Sequence, residues 1–95
     1  MTDFEITEHA FFEMKRRGLT EEMVHLVLSS PEQRMEIRPG RLVLQSRIPM
    51  GEPAKTYLLR VFLDVDRSPV QVVTAYRTSK ISKYWRDSRE GELRS

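Results

Sequence analysis

The chain has 95 residues, no cysteine, and 16 Lys and Arg against 14 Asp and Glu, for a net charge of +2. A chain of this length buries roughly 60 to 65 per cent of its unfolded surface, enough for one modest core and too little for a second domain. Without cysteine, a disulfide framework, a thiolate metal site and a cysteine nucleophile are all excluded.

The N-terminal segment favours a cytoplasmic address. It begins MTDFEITEHAFF, which is acidic and lacks the basic start and apolar core of a secretory signal. Apolar runs along the chain are too short for a membrane span, so we expect no membrane partner. We expect one domain over residues 1–86 and a polar, frayed tail over residues 87–95.

The first third of the chain has two helical patterns. Thr7 is placed to cap a helix over about residues 8–17, and Gly18 is placed to close it. Thr20 is placed to cap a second helix, which Pro31 ends. Because one turn joins the two helices, we expect them to pack as a compact hairpin.

From residue 35 the apolar pattern changes towards the alternation typical of strands. A hairpin is predicted around the turn Pro39-Gly40, with strands at residues 35–38 and 41–47. The segment 48–55 holds Pro49, Gly51 and Pro53, and it is predicted to be the longest loop.

Two further runs are rich in Val, Leu, Phe and Tyr: residues 56–64 and residues 70–77. We expect them to pair as antiparallel strands at the sheet centre. In the first run, one side is uninterruptedly apolar and can be covered by helices, which leaves Arg60 on the other face. With an edge strand at 4–6, the predicted fold class is α+β: a helical hairpin packed on one face of a small antiparallel β-sheet, with a short C-terminal helix.

Charge is distributed unevenly along the chain. Residues 1–34 hold seven acids and four bases, a net of -3, whereas residues 77–86 hold four bases and no acid, a local +4. The C-terminal segment is therefore the better candidate for contact with an anionic partner. A solvated charged face explains the same pattern, because surface charge is normal for small domains.

Several kinds of site are disfavoured by the residues present. His9 and His25 lie on different predicted helices, and no acid completes a metal-ligand spacing, so we expect no metal and no cofactor. The four glycines are scattered singly, unlike a phosphate-binding loop. No serine sits in a strand-turn-helix elbow. Most metabolic enzyme classes are thereby disfavoured.

What remains is an inventory of Arg, Lys, His and Tyr. Cleavage of RNA by its own 2′-hydroxyl needs no metal, only proton-transfer groups and a cation for the charged phosphorane. The candidate catalytic residues are Arg60, Arg77, His9 and Tyr76. The candidate RNA-binding residues are Lys80, Lys83, Tyr84, Trp85 and Arg86. With suitable register, the guanidiniums of Arg60 and Arg77 would converge on one phosphate.

Each candidate also has a structural interpretation. His9 fits a structural histidine inside a helix start, and Tyr84 and Trp85 fit the apolar anchor of a C-terminal helix. Arg60 and Arg77 fit arginines that lie along an exposed sheet with their charged heads in water. The sequence leaves both interpretations open.

Two segments carry a family resemblance: TEHAFFEMKRRGLTEEMVHLVLSSPE, residues 7–32, and VVTAYRTSKISKYWR, residues 72–86. Across roughly residues 6–86 the chain resembles the bacterial and archaeal domain of unknown function numbered 4258. The matching positions are His9, Met14, Arg17, Gly18, Tyr76, Arg77, Lys80 and Lys83. Glu13 departs from the pattern, because that family tends to have arginine there.

That family resembles the RelE, ParE and BrnT toxins in architecture. The resemblance implies a RelE/ParE-like fold and a toxin-type domain that binds RNA or the ribosome, with or without metal-independent RNA cleavage. It also implies an antitoxin protein as a partner. ParE-like toxins act on gyrase, so fold alone does not decide the function. The alternative is a non-catalytic interaction domain that pairs with an antitoxin or, as a homodimer, with its own copy.

Overall fold

The computed structural model describes residues 4–86, which form five strands and three helices. In chain order these are β1 (Phe4–Ile6), α1 (Glu8–Arg16), α2 (Glu21–Ser29), β2 (Gln33–Arg38), β3 (Arg41–Met50), β4 (Lys55–Asp64), β5 (Val70–Thr78) and α3 (Ile81–Tyr84). The strands form one sheet in the order β1-β5-β4-β3-β2. The tail predicted for residues 87–95 lies outside the described residues.

The sheet is mixed, so the predicted fold class, with its antiparallel sheet, is wrong. β2 to β5 form the expected antiparallel meander, but β1 pairs parallel with β5, with Phe4 opposite Val70 and Ile6 opposite Val72. A three-residue strand has the same alternation in either direction, so its pattern cannot reveal how it pairs. The direction is decided by α1, which starts directly after β1 and packs on β5.

The first two helices begin where their caps predict. The Thr7 hydroxyl accepts from Ala10 N (3.1 Å), and the Thr20 hydroxyl accepts from Met23 N (3.2 Å). Gly18, with φ +70°, follows the end of α1 in the left-handed conformation that favours glycine. α1 packs on β5 and α2 packs on β3 and β4, and the two helices contact the sheet more than each other, so the predicted packing as a compact hairpin is wrong. No helix within residues 4–86 has the length and apolarity needed to cross a membrane.

The main core lies between the first two helices and the inner face of the sheet. Its buried residues are Ala10, Met14, Leu19, Val24, Val27, Leu28, Leu42, Leu44, Ile48, Leu59, Val61, Leu63, Val72 and Ala75. The opposite side of the sheet, called the outer face below, carries Gln33, Val43, Gln45, Arg47, Leu58, Arg60, Phe62 and Tyr76. Antiparallel partners share a face, so register assigns each side chain to one side.

The predicted loop over residues 48–55 is wrong, because β3 continues to Met50 and β4 begins at Lys55. Only residues 51–54 form the turn. Pro49 pairs with Thr56 inside the sheet, although proline cannot donate to a ladder. It is tolerated because β2 pairs with β3 only as far as Gln45.

The central pairing of the sheet is confirmed. β4 and β5 are adjacent and antiparallel, with Arg60 opposite Tyr76 and Leu59 opposite Arg77. The register shifts between Phe62 and Leu63, where a β-bulge interrupts the ladder. As predicted, Leu59 faces the helices while its neighbour Arg60 lies on the outer face.

Candidate functional site

Arg60 stands near the middle of the outer face, on β4 between β3 and β5. Register places it opposite Gln45 of β3 and Tyr76 of β5. Its Nε donates to Gln45 Oε1 (2.8 Å), and its Nη1 donates to the Tyr76 hydroxyl (2.8 Å). Three adjacent strands thus hold the guanidinium in one position.

Aromatic rings surround the Arg60 guanidinium. Its Cζ lies 4.4 Å from the ring centroid of Tyr84, 5.3 Å from that of Phe62 and 5.8 Å from that of Tyr76. Phe62 and Tyr76 are stacked, and Tyr76 meets Tyr84 edge to face. The cation is therefore held by ring faces as well as by hydrogen bonds. Because Tyr84 belongs to α3, the last helix forms one wall of the site.

The charge of Arg60 is not balanced by a carboxylate within residues 4–86. Ion pairs in that part of the chain join other arginines to Glu13, Glu32 and Asp64. Arg60 is half-buried, and both of its hydrogen-bond partners are neutral. Desolvated charges are normally paired, so this guanidinium is well placed to receive an anion.

Gln45 connects the site to the C-terminal segment. Its side chain is fully buried, and its Nε2 donates to Gln33 Oε1 (2.8 Å) and to the Tyr84 carbonyl (3.1 Å). Gln33 Oε1 also accepts from Arg86 N (2.9 Å), and Gln33 Nε2 donates to the Arg86 carbonyl. Sequence reasoning missed both glutamines. The available signal was Gln45 itself, a polar residue inside the apolar run LVLQS.

Trp85 is held by a second arginine. Arg47 Cζ lies 4.3 Å from the Trp85 ring centroid. The Arg47 guanidinium also binds Glu32 through two of its three nitrogens, Nε to Oε1 (3.1 Å) and Nη2 to Oε2 (2.9 Å). The side-chain hydrogen bond between them lowers the pKa of Glu32 and raises the pKa of Arg47. In this conformation Trp85 packs as an anchor of the C-terminal segment.

Of the predicted site residues, the structure brings together Arg60, Tyr76 and Tyr84. Lys83 joins them, because its Nζ lies 5.3 Å from the Tyr84 ring centroid. The side chains of Lys80 and Arg86 are exposed on the same C-terminal segment. The backbone of Lys80 is tied to Thr78 Oγ1 (3.1 Å). Of the predicted RNA-binding residues, Tyr84 therefore lies at the Arg60 site with Lys83 beside it, whereas Lys80, Trp85 and Arg86 lie elsewhere on the same segment.

The predicted convergence of Arg60 and Arg77 is wrong. Arg77 pairs with Leu59, whose side chain faces the helices, so the two arginines lie on opposite faces of the sheet. Arg77 instead contacts Met50 Sδ through Nη1 (3.3 Å) and lies over the Tyr57 ring (5.1 Å to its centroid). Neighbouring residues of a strand alternate between faces. A shift of one residue in the register of β5 against β4 would therefore be needed to bring Arg77 to the same face as Arg60.

His9 is also apart from the outer face. It is exposed on α1, which packs against the other side of the sheet. Of the four predicted catalytic residues, Arg60 and Tyr76 are in contact, whereas His9 and Arg77 lie on the helix side. The predicted catalytic set is therefore divided between two faces.

No protein-family model, no curated protein and no solved structure matches the chain. The resemblance to the domain of unknown function numbered 4258 and to the RelE-type toxins therefore stays a prediction. Within residues 4–86, no group of three or more His, Asp or Glu side chains is arranged to hold a metal ion.

Proposed function

We propose that the chain is an RNA-binding domain of toxin type, and that the outer face around Arg60 holds a backbone phosphate of single-stranded RNA. The observation that carries this proposal is the half-buried Arg60 guanidinium. It is fixed by neutral partners and forms no ion pair with a carboxylate of residues 4–86. A phosphate diester supplies the negative charge and acceptor oxygens that such a guanidinium prefers.

The surroundings of Arg60 suit RNA better than a small anion. Lys80, Lys83 and Arg86 add exposed positive charge along the adjoining segment. Tyr76 and Tyr84 supply ring faces next to that charge. Cations that follow the backbone, together with aromatic rings that stack on bases, are the usual means of binding single strands.

Binding is favoured over cleavage by the division of the predicted catalytic set. His9 and Arg77 lie on the helix side of the sheet, which leaves the Tyr76 hydroxyl as the group that touches Arg60 and could transfer a proton. Cleavage requires at least two such groups, one for the nucleophile and one for the leaving oxygen. The geometry of the outer face therefore supports RNA binding rather than RNA cleavage.

The proposal predicts that wild-type protein binds a single-stranded RNA with an affinity that falls steeply with salt. Arg60→Gln should weaken binding roughly tenfold or more, because a charge-assisted phosphate contact is worth about 1.5–3 kcal/mol. Fluorescence anisotropy measures both effects. Arg67→Gln removes the same charge from the exposed β4–β5 turn and serves as the matched control.

The same titrations test the lysines. Changing Lys80 and Lys83 to Ala should reduce the slope of log affinity against log salt by roughly one unit for each phosphate that the protein no longer neutralises. Equal losses in Arg60→Gln and Arg67→Gln would mean that only overall charge matters. RNA binding that is undetectable, with the fold intact, would remove the proposal.

The second candidate function is a protein-interaction domain, and one observation favours it. Phe11 and Phe12 are 40% and 64% exposed, and with Met14 and Leu19 they line a cleft of about 440 Å³. Exposed apolar patches often mark protein contacts. It is the second candidate because exposed aromatic side chains are common on protein surfaces, whereas a half-buried arginine without a carboxylate partner is unusual.

A further inference from the structure

A second basic site lies beside β5, where α1 ends. A cleft of about 540 Å³ separates the C-terminal end of α1 from the end of β5, and it is lined by Arg16, Arg17, Gly18, Tyr76 and Arg77. Arg77 follows Tyr76 in the strand and therefore projects to the other face. Three arginines, from the C-terminal end of α1 and from β5, thus line one opening.

Arg17 is fixed in place at the wall of this cleft. Its Nη1 donates to the Ala75 carbonyl (2.9 Å) and to Thr74 Oγ1 (3.4 Å). β1 pairs with β5 only as far as Val72. Beyond that point, Arg17 hydrogen-bonds to the part of the β5 edge that β1 does not reach. Its side chain is only 33% exposed. A guanidinium held in this way loses little freedom on binding a ligand.

The cleft carries more positive than negative charge. Arg16 Nη2 (2.9 Å) and Arg17 Nη2 (2.6 Å) both bind the same oxygen, Glu13 Oε1. Arg77 has no carboxylate partner within residues 4–86 and is held by Tyr57 and Met50. Three arginines line the cleft and one carboxylate, Glu13, pairs with two of them, so these residues together carry a charge of +2, which a dianion would balance.

Glu13 indicates how an oxyanion fits this cleft. Its carboxylate, 12% exposed, already places one oxygen between two guanidiniums. The hydrogen bond from Arg16, followed by the nearby charges of Arg16, Arg17 and His9, lowers the pKa of Glu13, so it stays ionised at neutral pH. An incoming anion would use the same donors and would compete with this carboxylate.

We propose that the cleft between α1 and β5 binds the dianion of a phosphate monoester, with Arg16, Arg17 and Arg77 as donors and Glu13 as an internal competitor. A monoester carries nearly two negative charges at neutral pH and three acceptor oxygens, which match the charge and the number of guanidiniums. The site is independent of RNA binding on the outer face. Free phosphate and the 5′-phosphate end of a nucleic-acid strand share this chemistry.

The first test titrates the full chain with inorganic phosphate and follows its backbone amides by NMR. The expected result is a saturable shift at Arg17, Gly18 and Arg77, with Arg77→Gln weakening the affinity about fivefold or more. Arg34→Gln, an exposed arginine on β2 at the far edge of the sheet, is the matched control and should leave the affinity unchanged. Shifts scattered over the surface, or equal losses in both variants, would overturn the site.

The second test removes the competitor. Glu13→Gln keeps the size of the side chain but takes away its charge, so phosphate should bind about fivefold more tightly. Thermal unfolding of the variant checks that the end of α1 is intact. A loss of affinity in a folded Glu13→Gln protein would overturn the competing role of Glu13.

The third test identifies the source of the phosphate. RNA with a 5′-phosphate should bind more tightly than the same RNA with a 5′-hydroxyl if a strand end enters the cleft, and Arg77→Gln should abolish that difference. Equal affinities together with saturable inorganic phosphate would assign the cleft to a free phosphate. Arg60→Gln separates the two proposals, because it should weaken RNA binding and leave the phosphate titration unchanged. Loss of phosphate binding in Arg60→Gln would overturn the independence of the cleft.

Discussion

At the residue scale, Arg60 shows how a charge can be held on a sheet without an opposite charge. Gln45 and Tyr76 give it neutral acceptors on both neighbouring strands, and ring faces cover its plane. Neutral acceptors orient a guanidinium but do not cancel its charge. A carboxylate at either position would have neutralised the charge of Arg60. Gln45 and Tyr76 leave that charge available to a ligand.

Gln45 is the residue through which this arrangement can be tested. Gln45→Leu removes the acceptor for Arg60 Nε and the donor to Gln33 and to the Tyr84 carbonyl. Because polar groups then lose partners in a buried place, we expect a loss of about 1–3 kcal/mol in the free energy of unfolding. Urea denaturation followed by circular dichroism measures it.

The control for this prediction is Gln71→Leu, the same chemical change on β5. Gln71 makes one long, exposed hydrogen bond to Glu5 (3.3 Å), so its loss should cost no more than about 0.5 kcal/mol. If both variants lost the same stability, the network around Gln45 would have no special role.

At the element scale, α3 depends on the sheet for its position. Four residues are far too few for a helix that is stable by itself. The conformational free energy lost on forming the first turn exceeds what the hydrogen bond of that turn contributes. The segment is held by Tyr84 over Arg60 and by Trp85 over Arg47. Contacts between rings and guanidiniums therefore set the wall of the Arg60 site.

Trp85→Ala should release this segment and leave the sheet in place. The interaction between the ring and Arg47 is worth about 1 kcal/mol, so the backbone amide of residue 85, which donates to the Ile81 carbonyl (2.8 Å), should exchange roughly fivefold faster. Hydrogen exchange by NMR gives the rate. Trp85→Phe keeps a ring face for Arg47 and should exchange nearly as slowly as wild type. Equal rates in all three proteins would contradict the anchoring role.

At the scale of the whole molecule, β5 separates two basic sites. Tyr76 lies with Arg60 on the outer face, and Arg77 lies with Arg16 and Arg17 beside α1. The alternation of the strand places successive residues on different surfaces. A single short segment of β5 can therefore contribute to two ligand sites, with different arginines in each and with Tyr76 lining both.

Because of its ion pairs, the whole domain should become less stable as the pH falls into the acid range. Hydrogen bonds from arginine side chains lower the pKa of three carboxyl groups below their ordinary values of 4.5 for Glu and 3.8 for Asp: Glu13, Glu32 and Asp64. Because the folded pKa is the lower one, each pair stabilises the fold above the unfolded pKa, and this contribution is lost as the pH falls through the folded pKa.

The melting temperature should therefore decrease as the pH is lowered from about 5 to about 3. Asp64→Asn, which cannot titrate, should be less stable than wild type at neutral pH and should lose less on acidification, because its ion pair with Arg41 is already gone. Thermal unfolding at several pH values measures both. An Asp64→Asn protein with the full acid dependence of wild type would contradict the role of this pair.

Much of the local structure followed from the sequence alone. Thr7 and Thr20 begin their helices because a hydroxyl before an amphipathic run satisfies a free backbone amide. The alternation in β4 predicted both the buried face and the outward position of Arg60. These features depend on neighbouring residues in the chain, so one-dimensional patterns contain them.

The tertiary structure decided what depends on residues distant in sequence. The parallel pairing of β1 depends on where α1 packs, and the separation of Arg60 from Arg77 depends on the register between β4 and β5. The two hydrogen-bond partners of Arg60 lie on neighbouring strands and are separated from it by 15 and 16 positions in the sequence. Sequence alone therefore determined the elements and the inventory of charges, whereas register and packing decided which charges meet, because strand pairing brings together residues that no local pattern connects.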